Sequence, residues 1–163
     1  MNKLFHSRRQ FNAELNWDTS RVTMMEWTFA YTYSFNQPLA WDTSKVKTMF
    51  YTLYEAWAFD QPLVWDTSSV TMMQDTFDGT RAFNQPLVWD TSKVKNMKSM
   101  FNVALTFNQP LVWDTSEVTD MSYLFNGVST FDQALKWDTN KVTEFKQFRR
   151  CEKLIPKNDK CVD

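Results

Sequence analysis

Six aspartates stand 24 residues apart, at Asp18, Asp42, Asp66, Asp90, Asp114 and Asp138. If the chain stacks at that period, neighbouring carboxylates lie on the order of 5 Å apart and repel by roughly 3 kcal/mol per pair at an effective dielectric of about 20. Such a row invites cations. A calcium loop, however, gathers several oxygens within one short segment, and each of these aspartates comes without a second carboxylate beside it. The Asp-Thr-Ser setting also suits a helix start, where side-chain oxygens accept from the free amides of the first turn for ~0.5–2 kcal/mol. Capping is the preferred reading, and cation binding the alternative.

Other reactive groups are few. His6 is the only histidine and precedes the repeats, so no histidine triad or multi-histidine metal site can be assembled. Cys151 and Cys161 are the only cysteines. A disulfide between them is the preferred reading and would favour an oxidising compartment; two free thiols are the alternative. There is no P-loop, no dinucleotide-binding glycine pattern and no Asn-x-Ser/Thr sequon. The expectation is a protein that is not an enzyme, with no cofactor and no metal site.

The aspartates belong to a longer phrase, Phe83-Asn84-Gln85-Pro86-Leu87-Val88-Trp89-Asp90-Thr91-Ser92-Lys93-Val94, said six times. Trp17, Trp41, Trp65, Trp89, Trp113 and Trp137 keep the same period, as do columns of Phe, Leu, Thr and Val. Self-similarity of this kind marks a solenoid whose coils rest on their neighbours. Residues 1–10 read as a lead-in, 11–148 as six coils and 149–163 as a C-terminal cap. The Asn/Asp column from Asn12 to Asp132 and the Gln column from Gln37 to Gln133 read as stacked amide ladders.

Two periods alternate within a coil. Leu87 and Trp89 have strand spacing, which predicts a short parallel strand from about Gln85 to Asp90. Val94, Met97, Met100 and Phe101 fall at i, i+3, i+6 and i+7, which predicts a short helix. The expected fold is thus an α/β repeat solenoid with one strand and one helix per 24-residue coil.

With 18 basic and 19 acidic residues, no strong field points to nucleic acid or an anionic membrane. No apolar run approaches the ~18 residues of a membrane-spanning helix. The first ten residues lack the apolar core of a signal peptide.

The phrase Phe-Asn-Gln-Pro-Leu-x-Trp-Asp-Thr-Ser-x-Val-x-x-Met resembles the BspA-like leucine-rich repeats, in the subtype common in Mycoplasma surface lipoproteins. The resemblance spans residues 11 to about 148. It implies a leucine-rich-repeat-like solenoid on a cell surface or secreted, used for adhesion or protein contact. It brings no catalytic residues.

One region departs from the repeat. Trp27, Tyr31 and Tyr33 in the first copy, with Tyr51, Tyr54 and Trp57 in the second, lie outside the invariant columns; the fourth copy has Ser99, Val103 and Leu105 instead. Exposed Trp and Tyr patches are typical anchors at interfaces, although such rings also serve as local core or as a shield for the N-terminal coils. The leading expectation is a scaffold that binds another protein, at a surface or within a larger assembly. A carbohydrate- or mineral-binding protein is the second reading. Ice binding, suggested by the evenly spaced Thr19 to Thr139 column, is the third.

Overall fold

The computed structural model describes residues 1–147. The proposed cap at 149–163, with Cys151 and Cys161, lies outside the described residues.

The 24-residue period is structural. Isolated parallel bridges link Met24 to Thr48, Thr48 to Met72, Met72 to Asn96, Asn96 to Asp120 and Asp120 to Glu144. Each bridge advances by one repeat, so successive copies stack in register. Phe29, Phe35, Phe59, Phe77, Phe83, Phe101 and Phe107 are fully buried with the Met column and with the Val column from Val46 onward. Ring columns run through this interior, with Trp65, Trp89 and Trp113 parallel at 6.2 and 6.4 Å. Trp17, at the outer end of its column, is 44% exposed, whereas Trp89 is 5% exposed.

The expected helix is absent. No helix occurs among the described residues, so the α/β solenoid with a helix in each coil, and the leucine-rich-repeat architecture the resemblance implied, are both incorrect. The apolar spacing did find the core, since Val94, Met97, Met100 and Phe101 are all fully buried. A run of overlapping turns places them there instead. The amides of Met73, Asp75, Phe77 and Gly79 donate to the carbonyls of Asn96, Lys98, Met100 and Asn102 in the next coil, at 2.8–3.0 Å. The alternate amides of Thr76, Asp78 and Thr80 close turns onto Met73, Asp75 and Phe77.

Every second amide is therefore committed between coils, where an α-helix would need it four residues back. Two residues per coil are also left-handed, as at Trp27 and Tyr31 (φ 57° and 61°) and at Ser99 and Val103 (φ 52° and 54°). A right-handed helix cannot pass through such points. Two helical turns are marginal in isolation, and the stack offers hydrogen bonds that an isolated helix lacks.

The expected strand is also replaced. Burial alternates as a strand would, with Leu87 and Trp89 inward and Val88 outward, but no parallel strand ladder forms there. The prolines at 38, 62, 86 and 110 remove one backbone donor from this segment in each inner coil. Side chains bridge the coils instead. The indoles of Trp41, Trp65, Trp89, Trp113 and Trp137 donate to the carbonyl of the leucine one coil before, at 3.0–3.3 Å.

Residues 1–10 are in register with the array. The amides of Lys3, Phe5 and Ser7 donate to the carbonyls of Glu26, Thr28 and Ala30, and Phe5 stacks on Phe29 at 5.4 Å. These residues, ahead of the first Phe11 phrase, pair as the turn half of a coil does.

Candidate functional site

The turn half projects its left-handed residues to one edge of the stack, and there the six singled-out aromatics meet. Trp27 and Tyr51, one coil apart and both left-handed, lie face to face at 3.9 Å and 8°. Tyr33 and Trp57 form a second pair at 3.9 Å and 9°. Tyr54 bridges the first pair to Tyr31, meeting Tyr51 at 4.9 Å and Tyr31 edge-on at 5.1 Å. All six are half-buried. Each ring in a pair has one face covered by its partner, so the ring edges and polar tips are what the surface can offer.

Several contributors escaped the sequence reading. The guanidinium of Arg81 lies 3.9 Å over Trp57, and that of Arg9 lies 5.3 Å over Tyr33. Arg9, Tyr33, Trp57 and Arg81 form one column at the 24-residue period, which is the signal that would have found the arginines. His6 meets Trp27 and Tyr31 edge-on at 5.7 and 5.6 Å, and Phe50 meets Tyr51 at 4.2 Å. The indole N–H of Trp57 donates to the Glu55 carboxylate.

Beneath the ledge lie carboxyls that the repeat gave no reason to single out. Asp75 and Asp78 are both buried. Burial pushes the Asp78 carboxyl up to about 7; two hydrogen bonds from the Asn102 amide, at 3.0 and 3.1 Å, oppose that, and Asp75 and Glu55 add to it. Burial also raises Asp75. Tyr51 is pushed up to about 12 by burial and then by the neighbouring Asp75, and Tyr54 is raised by burial and by Asp78. The Tyr51 and Tyr54 phenols thus stay protonated as donors.

The other candidate rows resolve differently. Asp18, Asp42, Asp66, Asp90 and Asp114 are exposed, and each accepts the backbone amide of the serine two residues on, at 2.9–3.0 Å. This is the local satisfaction expected of a cap, made in a turn and not at a helix start. Those serine bonds hold the carboxyls below the usual range. Among the described residues no group of three His, Cys, Asp or Glu is placed to hold a metal ion.

The amide ladders are present in a modified form. The Oδ1 of Asn84 accepts both the backbone amide of Asn108 and the side-chain amide of Gln109 in the next coil. The threonine column faces inward. Thr43, Thr67, Thr91 and Thr115 are buried and donate to the carbonyls of Asp66, Asp90, Asp114 and Asp138. The row that suggested an ice-facing surface is therefore interior.

These features define a tandem-repeat protein built from stacked, turn-rich coils, with an aromatic edge at its first two repeats. It belongs to the family described as Mycoplasma protein of unknown function, DUF285, whose model matches residues 1–64 and again 63–159. The Mycoplasma connection of the resemblance agrees with that match. No curated protein and no solved structure matches the chain.

Proposed function

We propose that the chain is a non-enzymatic repeat scaffold that binds another protein through the edge formed by Trp27, Tyr31, Tyr33, Tyr51, Tyr54 and Trp57. The adhesion or assembly role that the sequence resemblance implied fits this reading, with the contact made at a cell surface or inside a larger complex. The observation that carries it is the clustering of six half-exposed rings in the first two coils, where the later coils offer only Tyr123 at the equivalent turn positions among the described residues. Equivalent turn positions in the fourth coil are met by Ser99, Val103 and Leu105, so the fold does not require aromatics there. Rigid Trp and Tyr side chains already held by stacking lose little freedom when a partner covers them.

The carbohydrate reading is weaker at this edge. Sugars stack on open aromatic faces, and in both face-to-face pairs one face of each ring is already covered.

The test compares the unaltered chain with Trp27→Ser/Trp57→Ser in pull-downs from the source organism, with hydrogen exchange measured alongside. Val103→Ser/Leu105→Ser serves as the control. Loss of a captured protein only in the Trp double variant, with later coils still protected, supports the reading. Unchanged capture beside faster exchange in the first two coils would show that these rings only seal the stack.

A further inference from the structure

A second surface lies on the opposite half of the coil. In each inner repeat the segment after Phe turns Leu and Trp inward and Pro, Val and Asp outward. Because the register never slips, the outward residues form three parallel rows. The middle row is Ala40, Val64, Val88 and Val112, and its three valines are 93–94% exposed. Between Pro62, Val64, Pro86 and Val88 runs a groove of about 450 Å³.

The fold does not demand apolar residues in this row. The same position is Asn16 in the first coil and Lys136 in the sixth, both exposed. A solvent-facing row that tolerates polar residues at its ends, yet is apolar over four consecutive coils, has the composition of a contact surface.

Its charge indicates what the contact is. The aspartate row borders the valines, and its carboxylates remain ionised because serine amides and hydroxyls hold them. Three residues after each aspartate stand Lys45 in the second coil and Lys93 in the fourth, but Ser69 in the third and Glu117 in the fifth. Lys93 also commits its ammonium to the Ser68 carbonyl at 2.8 Å. Asp66 and Asp114 thus flank the valines without a cation at that position, two coils apart.

The Trp rings beneath the face are 6.2 and 6.4 Å apart, which places alternate coils on the order of 12 Å from each other. A helix rising ~1.5 Å per residue returns to the same face after seven or eight residues, a matching distance. We infer that the Pro–Val–Asp face docks an amphipathic helix of another protein, its apolar stripe along the valine row and its lysines or arginines on Asp66 and Asp114. Area burial supplies the attraction, and the carboxylates select the sign and register of the partner.

The experiment uses the whole chain and a defined probe, a blocked Leu/Lys peptide of about five helical turns with lysines bordering one leucine face. A Leu/Glu peptide of the same pattern is the control. Two variants remove one feature each: Val64→Thr/Val88→Thr/Val112→Thr removes the apolar row, and Asp66→Asn/Asp114→Asn removes charge while keeping the oxygen that accepts from serine. The expected result is saturable binding of the Lys peptide only, weakened roughly tenfold or more in Kd by either variant and unchanged by Trp27→Ser/Trp57→Ser. That last comparison separates this face from the aromatic edge. Absence of saturable binding overturns the inference, as does binding that neither variant affects. Self-association of the chain that the valine variant abolishes also overturns it, because a second copy would then be the occupant.

Discussion

The indole N–H of Trp89 donates to the carbonyl of Leu63, 26 residues earlier in the chain, at 3.2 Å. The bond crosses from one coil to the coil before it, and the ring simultaneously fills the interior against Phe77 at 5.7 Å. One side chain therefore supplies both core volume and the hydrogen bond that proline helps deny to the backbone of this segment.

Replacing Trp89 separates those roles. Trp89→Ala should destabilise by ~3–5 kcal/mol, as other large-to-small core changes do. Trp89→Phe keeps much of the volume but leaves the Leu63 carbonyl without its donor, for ~1–3 kcal/mol. Trp27→Ala, half-buried on the edge, should cost less than Trp89→Ala. Urea unfolding of the three variants gives the order, and equal midpoints for Trp27→Ala and Trp89→Ala would contradict the interior role of the column.

The period, the core columns and the aromatic cluster were all legible in the sequence, because they depend only on which residues recur at 24. The backbone between them was not. A spacing of i, i+3 and i+7 is shared by a helix and by overlapping turns, and apolar positions alone do not distinguish the two. The signal that does is the left-handed pair in each coil, and its residues conceal it. Gly79 and Gly127 occupy one of these columns, but the same column is filled by Tyr31, Glu55 and Val103, none of which advertises a positive φ. Arg81 over Trp57 and Asp78 beneath Tyr54 were missed because they lie outside the invariant phrase, where the repeat gives no expectation.

The left-handed column supplies its own test. Val103 is β-branched at φ 54°, a conformation costing roughly 1–2 kcal/mol for an L-residue. Glycine relieves that and returns ~0.5–1 kcal/mol of chain entropy to the unfolded state. Val103→Gly should therefore be neutral or stabilising by up to about 1 kcal/mol. Gly79→Ala should destabilise, since its Cβ would also stand 2.9 Å from the Glu55 carboxyl group. Thermal melts of the two variants should move in opposite directions or, at the least, only Gly79→Ala should fall.

Asn84 tests the side-chain ladder. Its Oδ1 is the shared acceptor for the Asn108 amide and the Gln109 side chain, at 2.9 and 3.2 Å. Asp60 performs the same service for Asn84 and Gln85, so Asn84→Asp should fold with little loss. Asn84→Leu leaves both donors unmatched and should cost on the order of 1–3 kcal/mol, with faster amide exchange at Asn108. An Asn84→Leu variant as stable as Asn84→Asp would show that the ladder contributes nothing.

Asp78 gives the fold a pH dependence whose sign can be derived. Its carboxyl rises from an ordinary 3.8 to about 7 in the folded chain, chiefly through burial. Between those values the folded state holds a proton that the unfolded state has released, so stability falls as pH rises from about 4 to about 7 and then levels. The exposed aspartates bonded to serine act in the opposite direction. Their carboxyls are lowered, so the stability they contribute is present above about 4 and is lost as the medium becomes more acidic. Asp78→Asn mimics the protonated form and keeps an oxygen for Asn102. It should raise the melting temperature at pH 8, leave it nearly unchanged at pH 4.5, and flatten the decline between. Melting curves across that range decide the matter: an Asp78→Asn profile parallel to that of the unaltered chain would mean that Asp78 is ionised in the folded protein at both ends.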